Sequence, residues 1–509
     1  MDPLALPLAA SAGETASAAG VVAASLAAAA ALVVRTPVAR ATAMLGALVL
    51  AVAVLLGHVW STDQVETLRD DPRLTAMLVV IGLAAVGVVA WLFVRRPALL
   101  PLLAAAALPF RIPLDVGGDT ANLLLPLYLV VAAGAVAYLV RAARDPDAEE
   151  RRPGALEWAL AAVLVLYGAQ ATYSSDLDRA LEPVVFFYVP FAVLFVQLER
   201  VRWTPRLAAG TLGVLVVLAI ALVGVGFWEY ATKHLLLNPR VINSNQFESY
   251  FRVNSLFFDP NIYGRFLVVV MIGVAAVVAW TSRSRTAIGG AVVLAVLWAG
   301  LVLTFSQSSF VALLVGLAVV GAFRWGAGRA LAATGVVALV GIAVVLLAPS
   351  ALRLDLDSNK SVEDATSGRY DLVAGGGRLF AERPIGGFGS GSFRREYRRA
   401  ENASAERATN ASHTIPVTVA AEQGAIGLAA YLALVVAALW RLFAAIGRAG
   451  ELTTARVAVA AAFAAVLVHT LLYAAFLEDP LTWALLALGT GLAAAVATRP
   501  ADAEAEAEP

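Results

Sequence analysis

His413 is the residue of this chain whose type and setting best suit a general base. It stands in T-N-A-S-H-T-I-P (409–416), where a long polar stretch gives way to an apolar run. A histidine there is partly wet and partly desolvated, which favours a neutral imidazole able to take a proton at pH 7. A histidine that merely closes a helix end at a membrane interface would occupy the same position, and position alone does not choose between them. His58 lies beside Trp60 at a span end, and His469 is mid-span, where it suits a helix–helix hydrogen bond. His234, in an outer loop, is the one rival. No two of the four histidines are spaced i,i+4 and there is no cysteine, so helical zinc motifs, thiol nucleophiles and disulfides are excluded.

Cations and hydroxyls form two further groups. In E-S-Y-F-R-V-N-S-L-F-F-D-P-N-I-Y-G-R-F (248–266), Arg252 and Arg265 bracket an Asp259-Pro260-Asn261 turn that favours a sharp re-entry and a helix N-cap. Arg265 falls about one turn inside the next apolar block, a depth at which an ionisable residue points to function unless it snorkels to the interface. The planar fork of arginine suits phosphate. For Arg252 the plainer reading is a solvated loop charge. The hairpin L-T-F-S-Q-S-S-F (303–310) gathers Thr304, Ser306, Gln307, Ser308 and Ser309 between two spans. Such a knot can bond a head group or only its neighbouring helices.

The longest polar segment, 349–412, carries ten basic and nine acidic residues. Loops of that length in a polytopic protein usually serve a function. It holds S-G-R-Y (367–370) with Arg369, and R-L-F-A-E-R-P-I-G-G-F-G-S-G-S-F (378–393) beginning at Arg378. Its glycines lack the Lys-Ser/Thr and the strand–helix frame of a P-loop, so they serve a tight fold or a close approach to substrate. F-R-R-E-Y-R-R-A-E (393–401) reads as a short surface helix with a solvated face. Glu422 lies down the His413 helix and suits orienting a partner; Gly424 and Gly427 suit close helix packing. Asp355 and Asp357 read as surface residues, and the outer loops offer no acidic pair suited to a metal.

The elements that must position these groups are membrane spans. Of 509 residues 60% are hydrophobic and 15% charged, and mean hydropathy is +0.80, well beyond a soluble domain. The apolar excess comes in about fifteen blocks, most of them long enough to cross a bilayer. The exception, 97–110, is short and proline-flanked, a half-span or a tilted helix. We expect an all-α, polytopic bundle of about 12–15 transmembrane helices. Loops rich in arginine near 35–40, 95–96, 141–152, 199–206, 283–285, 324–329 and 441–456 fall on one side, the cytoplasmic one. The loop at 349–412 falls on the other. Zero net charge gives no bulk basic field for nucleic acid. The chain divides into N-terminal spans (1–245), a catalytic region (246–440), C-terminal spans (441–498) and an acidic disordered tail (499–509).

Four motifs in order resemble the O-antigen ligase and polymerase family of bacterial membrane glycosyltransferases. They are R-V-N-S-L-F-F-D-P-N-I-Y-G (252–264), L-T-F-S-Q-S-S-F-V-A-L-L (303–314), G-R-Y with R-P-I-G-G-F-G-S-G-S-F (368–393), and N-A-S-H with E-x-G-x-x-G (422–427). The resemblance implies a GT-C-like, inverting, metal-independent transferase without a cofactor, in the bacterial inner membrane. Its donor would be a glycan on undecaprenyl pyrophosphate. Its acceptor would be a sugar hydroxyl on another glycan or glycolipid at the extracytoplasmic face. His413 corresponds to the family's essential histidine and Arg252 to an arginine that engages pyrophosphate. The second motif departs from the family, with Gln307 where an arginine is common, and Thr414 follows the histidine in place of Asn, Ser or Gln. Arg265, Arg369 or Arg378 would then supply the missing charge, with Asn261, Ser306, Gln307 and Glu422 as further substrate contacts. A polymerase shares this chemistry and differs in the acceptor. A solute transporter is the main alternative of another class; it calls for ionisable residues at the midplane and broken helices in paired halves, and a scaffold would tolerate loss of His413 and Arg252.

Overall fold

The structure, a computed structural model of the chain, describes residues 12–60, 66–116, 119–148, 151–236, 241, 245, 251–347, 369–404, 409, 411–448 and 450–497. Asp355, Asp357 and the tail 499–509 lie outside these residues, as does the side chain of Arg369. Among the described residues eleven helices are long and apolar enough to cross a membrane, with three shorter apolar helices beside them. The protein is a polytopic helical membrane protein.

The N-terminal part runs α1 (Ala12–Val33), α2 (Pro37–Val59), α3 (Glu66–Asp70), α4 (Pro72–Arg95) and α5 (Leu99–Ala107). α5 is the proline-flanked block and has only 9 residues, so it is a half-span. It leads into an antiparallel hairpin of β1 (Ile112–Val116) and β2 (Asp119–Leu123), paired from Ile112–Leu123 to Val116–Asp119. No element was expected there; the hairpin is the one departure from an all-helical chain among the described residues. α6 (Leu125–Arg144), α7 (Ala155–Ala171) and α8 (Leu177–Pro183) follow. A π turn at Val184–Tyr188 joins α8 to α9 (Val189–Glu199), and Pro183 and Pro190 flank this irregular turn within one span. α10 (Pro205–Thr232) closes this part.

The C-terminal part holds α11 (Pro260–Trp280), α12 (Ser284–Leu303), α13 (Gln307–Trp325) and α14 (Ala327–Leu347), then α15 (Arg369–Glu382) and α16 (Phe393–Glu401) in the polar segment. α17 (Ile415–Phe443), α18 (Thr453–Leu472) and α19 (Pro480–Ala497) complete it. Proline opens α2, α4, α10, α11 and α19, where its missing N–H is not needed by the helix.

α11, α13 and α18 pack on one another pairwise. Two glycines permit it. A Cβ on Gly264 would lie 2.4 Å from Ser309 Oγ, and one on Gly316 would lie 2.1 Å from Ile272 Cδ1. At one end of this bundle the N-termini of α11, α13, α17 and α19 meet the C-termini of α10, α12 and α18. At the other end, buried Glu157 and Glu199 both pair with Arg151, with 2.6 Å from Arg151 Nη2 to Glu199 Oε2. Arg200 also pairs with Glu199, so two guanidinium groups meet two carboxylates, as a purely structural cluster requires.

α15 and α16 form a small cap with its own core of Leu372, Leu379, Phe388, Phe393, Tyr397 and Ala421. The glycine-rich turn between them, 386–391, presses on α17 and on the α7–α8 junction. α17 is broken at Gly424 (φ 65°, ψ −163°). The freed N–H groups of Ala425 and Ile426 donate to the carbonyls of Pro384 (2.7 Å) and Ile385 (3.3 Å), and Gly389 N–H donates to Glu422 O (2.8 Å). A Cβ on Gly387 would lie 2.2 Å from Glu422 O, and one on Gly389 would lie 2.4 Å from Ser174 Cα. The close approach these glycines allow is therefore to the protein's own backbone.

Candidate active site

The first motif folds around Glu229 of α10. Its Oε2 accepts the N–H groups of Asn254 (3.2 Å) and Ser255 (2.8 Å), and Ser255 Oγ donates to Leu222 O (2.9 Å). These bonds hold Ser255 in the left-handed region at φ 52°. Arg252 is thereby fixed at the rim. Its Nε donates to Thr304 O (3.0 Å) and its Nη2 to Asn261 Oδ1 (3.4 Å). Asn245 brackets its backbone, accepting from Arg252 N and donating to Arg252 O. The acceptors around this half-buried guanidinium are neutral, and among the described residues no carboxylate pairs with it.

The turn between α12 and α13 follows. Phe305 sits at φ 49°, and Ser306 caps α13. Ser306 Oγ donates to Asn261 Oδ1 (2.8 Å) and lies 2.8 Å from Ser309 Oγ and 3.2 Å from Ser308 Oγ. Asp259 caps α11 by accepting from Asn261 N (2.7 Å). Two helix N-termini, each favourable to an anion, thus flank Arg252. Gln307 is exposed and stands outside this knot.

Beneath the serines lies the buried pair His469 and Arg265. Arg265 Nε and Nη2 face His469 Nδ1 at 3.2 and 2.9 Å, while Nη1 donates to Asp479 Oδ2 (2.6 Å) and Ala475 O (2.7 Å). An arginine cannot accept, so His469 Nδ1 is the acceptor. The proton is then on Nε2, which faces Ser308 Oγ (3.1 Å) and Ser309 Oγ (3.2 Å). His469 is a neutral strut between helices, with both ring nitrogens engaged.

Tyr473, at the C-terminus of α18, links this buried pair to His413. Its ring centroid is 5.9 Å from that of His469 and 6.4 Å from that of His413. Burial pushes the Tyr473 phenol well above its ordinary range, and neighbouring Asp259 adds to this, so it keeps its proton. His413 itself is half-buried, at φ 62°. Ser412 N–H donates to Thr418 Oγ1 (2.9 Å), Ser412 Oγ to Thr414 O (2.8 Å), and Thr414 Oγ1 to Leu471 O. These bonds tie the histidine's turn to the ends of α17 and α18. Three of the six non-glycine residues with left-handed φ among the described residues (Ser255, Phe305 and His413) are in this site. Strain of that kind, about 1–3 kcal/mol each, is held where surrounding structure over-determines it.

Arg252, Asn261, Ser306, Arg265 and His413 thus belong to one contiguous network of contacts. Of the other expected residues, Gln307, Arg378 and Glu422 do not join it, and the side chain of Arg369 lies outside the described residues. Arg378 is exposed on α15 and bonds Glu401 (2.7 Å). Glu422 is buried, and its two oxygens accept Gly391 N (2.9 Å) and Phe393 N (3.1 Å), so it braces the glycine turn. Arg265 is already neutralised by Asp479 and is not a spare cation. His234 is exposed, with its ring against Trp228. Sequence reasoning missed Asp479, Tyr473 and Arg111. Half-buried Arg111, just before β1, is held below its ordinary range by burial and pulled back up by Asp479; its Nε has no partner among the described residues.

Comparison with known families bears on the class. Residues 291–432 match the family described as O-Antigen ligase. The match supports an O-antigen ligase- and polymerase-related family. The matched span runs from α12 to α17 and takes in the serine knot, the cap and His413. It supports an O-antigen ligase- or polymerase-like role in surface polysaccharide synthesis, with lipid-linked glycan substrates. No curated protein matches the chain.

Proposed function

We propose that the protein is an inverting glycosyltransferase that moves a glycan from undecaprenyl pyrophosphate to a sugar hydroxyl at the extracytoplasmic face. Neutral His413 takes the proton of the acceptor hydroxyl as that oxygen attacks the anomeric carbon. The bond from this carbon to the pyrophosphate oxygen breaks, and undecaprenyl pyrophosphate leaves with the electron pair. Arg252 stabilises the charge that develops on it, assisted by the N-termini of α11 and α13. The step needs no metal.

The observation that carries this reading is the network joining Arg252, a cation with no carboxylate partner among the described residues, to a histidine on a strained turn, His413. The path runs through Asn261, Ser306, Ser308, His469 and Tyr473. A transferase of this kind needs a base for the acceptor and a cation for the leaving group, and little else from the protein. A polymerase would use the same groups.

The test is transfer by purified protein from an undecaprenyl-pyrophosphate-linked oligosaccharide, with EDTA present. The expected result is chelator-resistant transfer with inversion at the anomeric carbon. Product length then separates single transfer from polymerisation. Loss of transfer in EDTA, or retention of configuration, contradicts the mechanism.

A further inference from the structure

We propose that the cap carries a separate binding cleft for an anionic saccharide chain. The cleft lies between α16 and the start of α8 and has a volume of about 760 Å³. That is ample for several sugar rings, since pockets for small ligands run to roughly 300–1,000 Å³. Arg179, Arg394, Arg395, Arg398 and Arg399 line it, with Asp176 the single carboxylate among the described residues.

Charge bookkeeping leaves an excess. Arg179 pairs with Glu182, and Arg399 with Glu396 and Glu382. Asp176 spends one oxygen capping α8 through Arg179 N. Arg395 donates to Ser175 O, a neutral acceptor. Arg394 and Arg398 have no carboxylate partner among the described residues, and at i,i+4 they share a face of α16. The arrangement is rigid. Phe393 and Tyr397, stacked at 5.8 Å on the adjacent face, are buried in the cap's core. A Cβ on Gly375 would lie 2.4 Å from Tyr397, so the small residue lets α16 seat closely on α15. A solvated helix face needs neither this anchoring nor a cleft before it.

The occupant is a glycan because of where the cleft leads. Arg179 also lines an inner cavity of about 290 Å³ whose walls include Ala411, Thr418, Glu422 and Glu478, together with Tyr167. Carboxylates and aromatic faces are the groups that take sugar hydroxyls and sugar rings, and Ala411 is two residues from His413. A chain held by its acidic groups in the arginine cleft could pass its terminal sugar inward. That delivery role rests on the transferase reading; the binding does not, and it is measured without turnover.

The experiment uses full-length protein in nanodiscs of zwitterionic lipid. The probes are a labelled octasaccharide of uronic acid and neutral maltooctaose. The uronate chain should bind, with affinity falling as salt rises. Arg394→Gln/Arg398→Gln should weaken it roughly tenfold or more, as loss of two charge-assisted contacts implies. Arg283→Gln/Arg285→Gln, in a distant loop, should leave it unchanged. If the double variant does not fold, exposed Arg398→Gln alone carries the test, with a smaller loss. Equal binding of charged and neutral chains, or no weakening in the variants, overturns the proposal. So does a result in which the variants lose only the preference for nanodiscs containing anionic phospholipid, which would make the cleft a head-group site.

Discussion

Arg252 and Arg265 flank the same turn, 13 residues apart in sequence, and their surroundings differ in kind. Arg265 is 1% exposed, and its guanidinium meets Asp479, His469 and two backbone carbonyls. Arg252 is half-buried and, among the described residues, its guanidinium meets a carbonyl and an amide oxygen. A buried charge with a carboxylate partner has its field largely cancelled and holds helices together. A charge with neutral acceptors keeps its field for an incoming anion. Depth in the membrane, the criterion that made Arg265 stand out in the sequence, therefore does not pick out the arginine whose charge is left uncancelled by a carboxylate. Pairing distinguishes them.

This contrast predicts opposite phenotypes. The largest effect belongs to Arg265→Ala, which strands Asp479 and leaves His469 Nδ1 without a donor. It should cost about 3–5 kcal/mol of stability, seen as a lower unfolding midpoint in detergent. Arg265→Met/Asp479→Leu should recover much of that loss, because the stranded charge is gone. Arg252→Ala comes next and acts on transfer. The rate should fall by about 10²–10³, the usual consequence of removing one group that stabilises developing charge, while the unfolding midpoint stays near wild type. Equal loss of stability in both single variants would erase the distinction.

The smallest effect concerns pH. Glu478 precedes Asp479, and burial pushes its carboxyl above the usual range although Arg265 pulls it back. A carboxyl raised by folding stabilises the native state while protonated. That contribution is complete below the ordinary carboxylate range and is lost as pH rises through the raised native value. Glu478→Gln should flatten this part of the midpoint-against-pH curve and leave its acid end unchanged.

Much of the architecture was legible because spans depend on local composition. Apolar blocks, proline starts and the short α5 follow from residues near one another. The hairpin at 112–123 did carry local signs, Gly117-Gly118 set between the alternating apolar residues Ile112, Leu114, Val116 and Ala121, Leu123, but each strand is only five residues long and lies between much longer apolar blocks that dominate the reading. The site was legible only in its local pieces. Asp259 as N-cap and the serines at the α12–α13 turn are properties of a few consecutive residues. The partners of Arg265 lie 204 and 214 residues away, and nothing short-range announces them. Gln307 illustrates helical phase. As the first residue of α13 it faces away from Ser306, Ser308 and Ser309, so polarity and proximity in sequence did not bring it into the knot. The glycines at 386–391 had two readings, and their neighbours in the fold are backbone atoms of Glu422 and Ser174.

The most direct measurement is the single-turnover rate of glycan transfer by His413→Ala, compared with wild type at equal unfolding midpoint and saturating donor. A general base is worth about 10²–10⁴ in rate, and the account predicts a loss in that range with donor binding retained. A rate within a few-fold of wild type, from folded protein that binds donor normally, would contradict it.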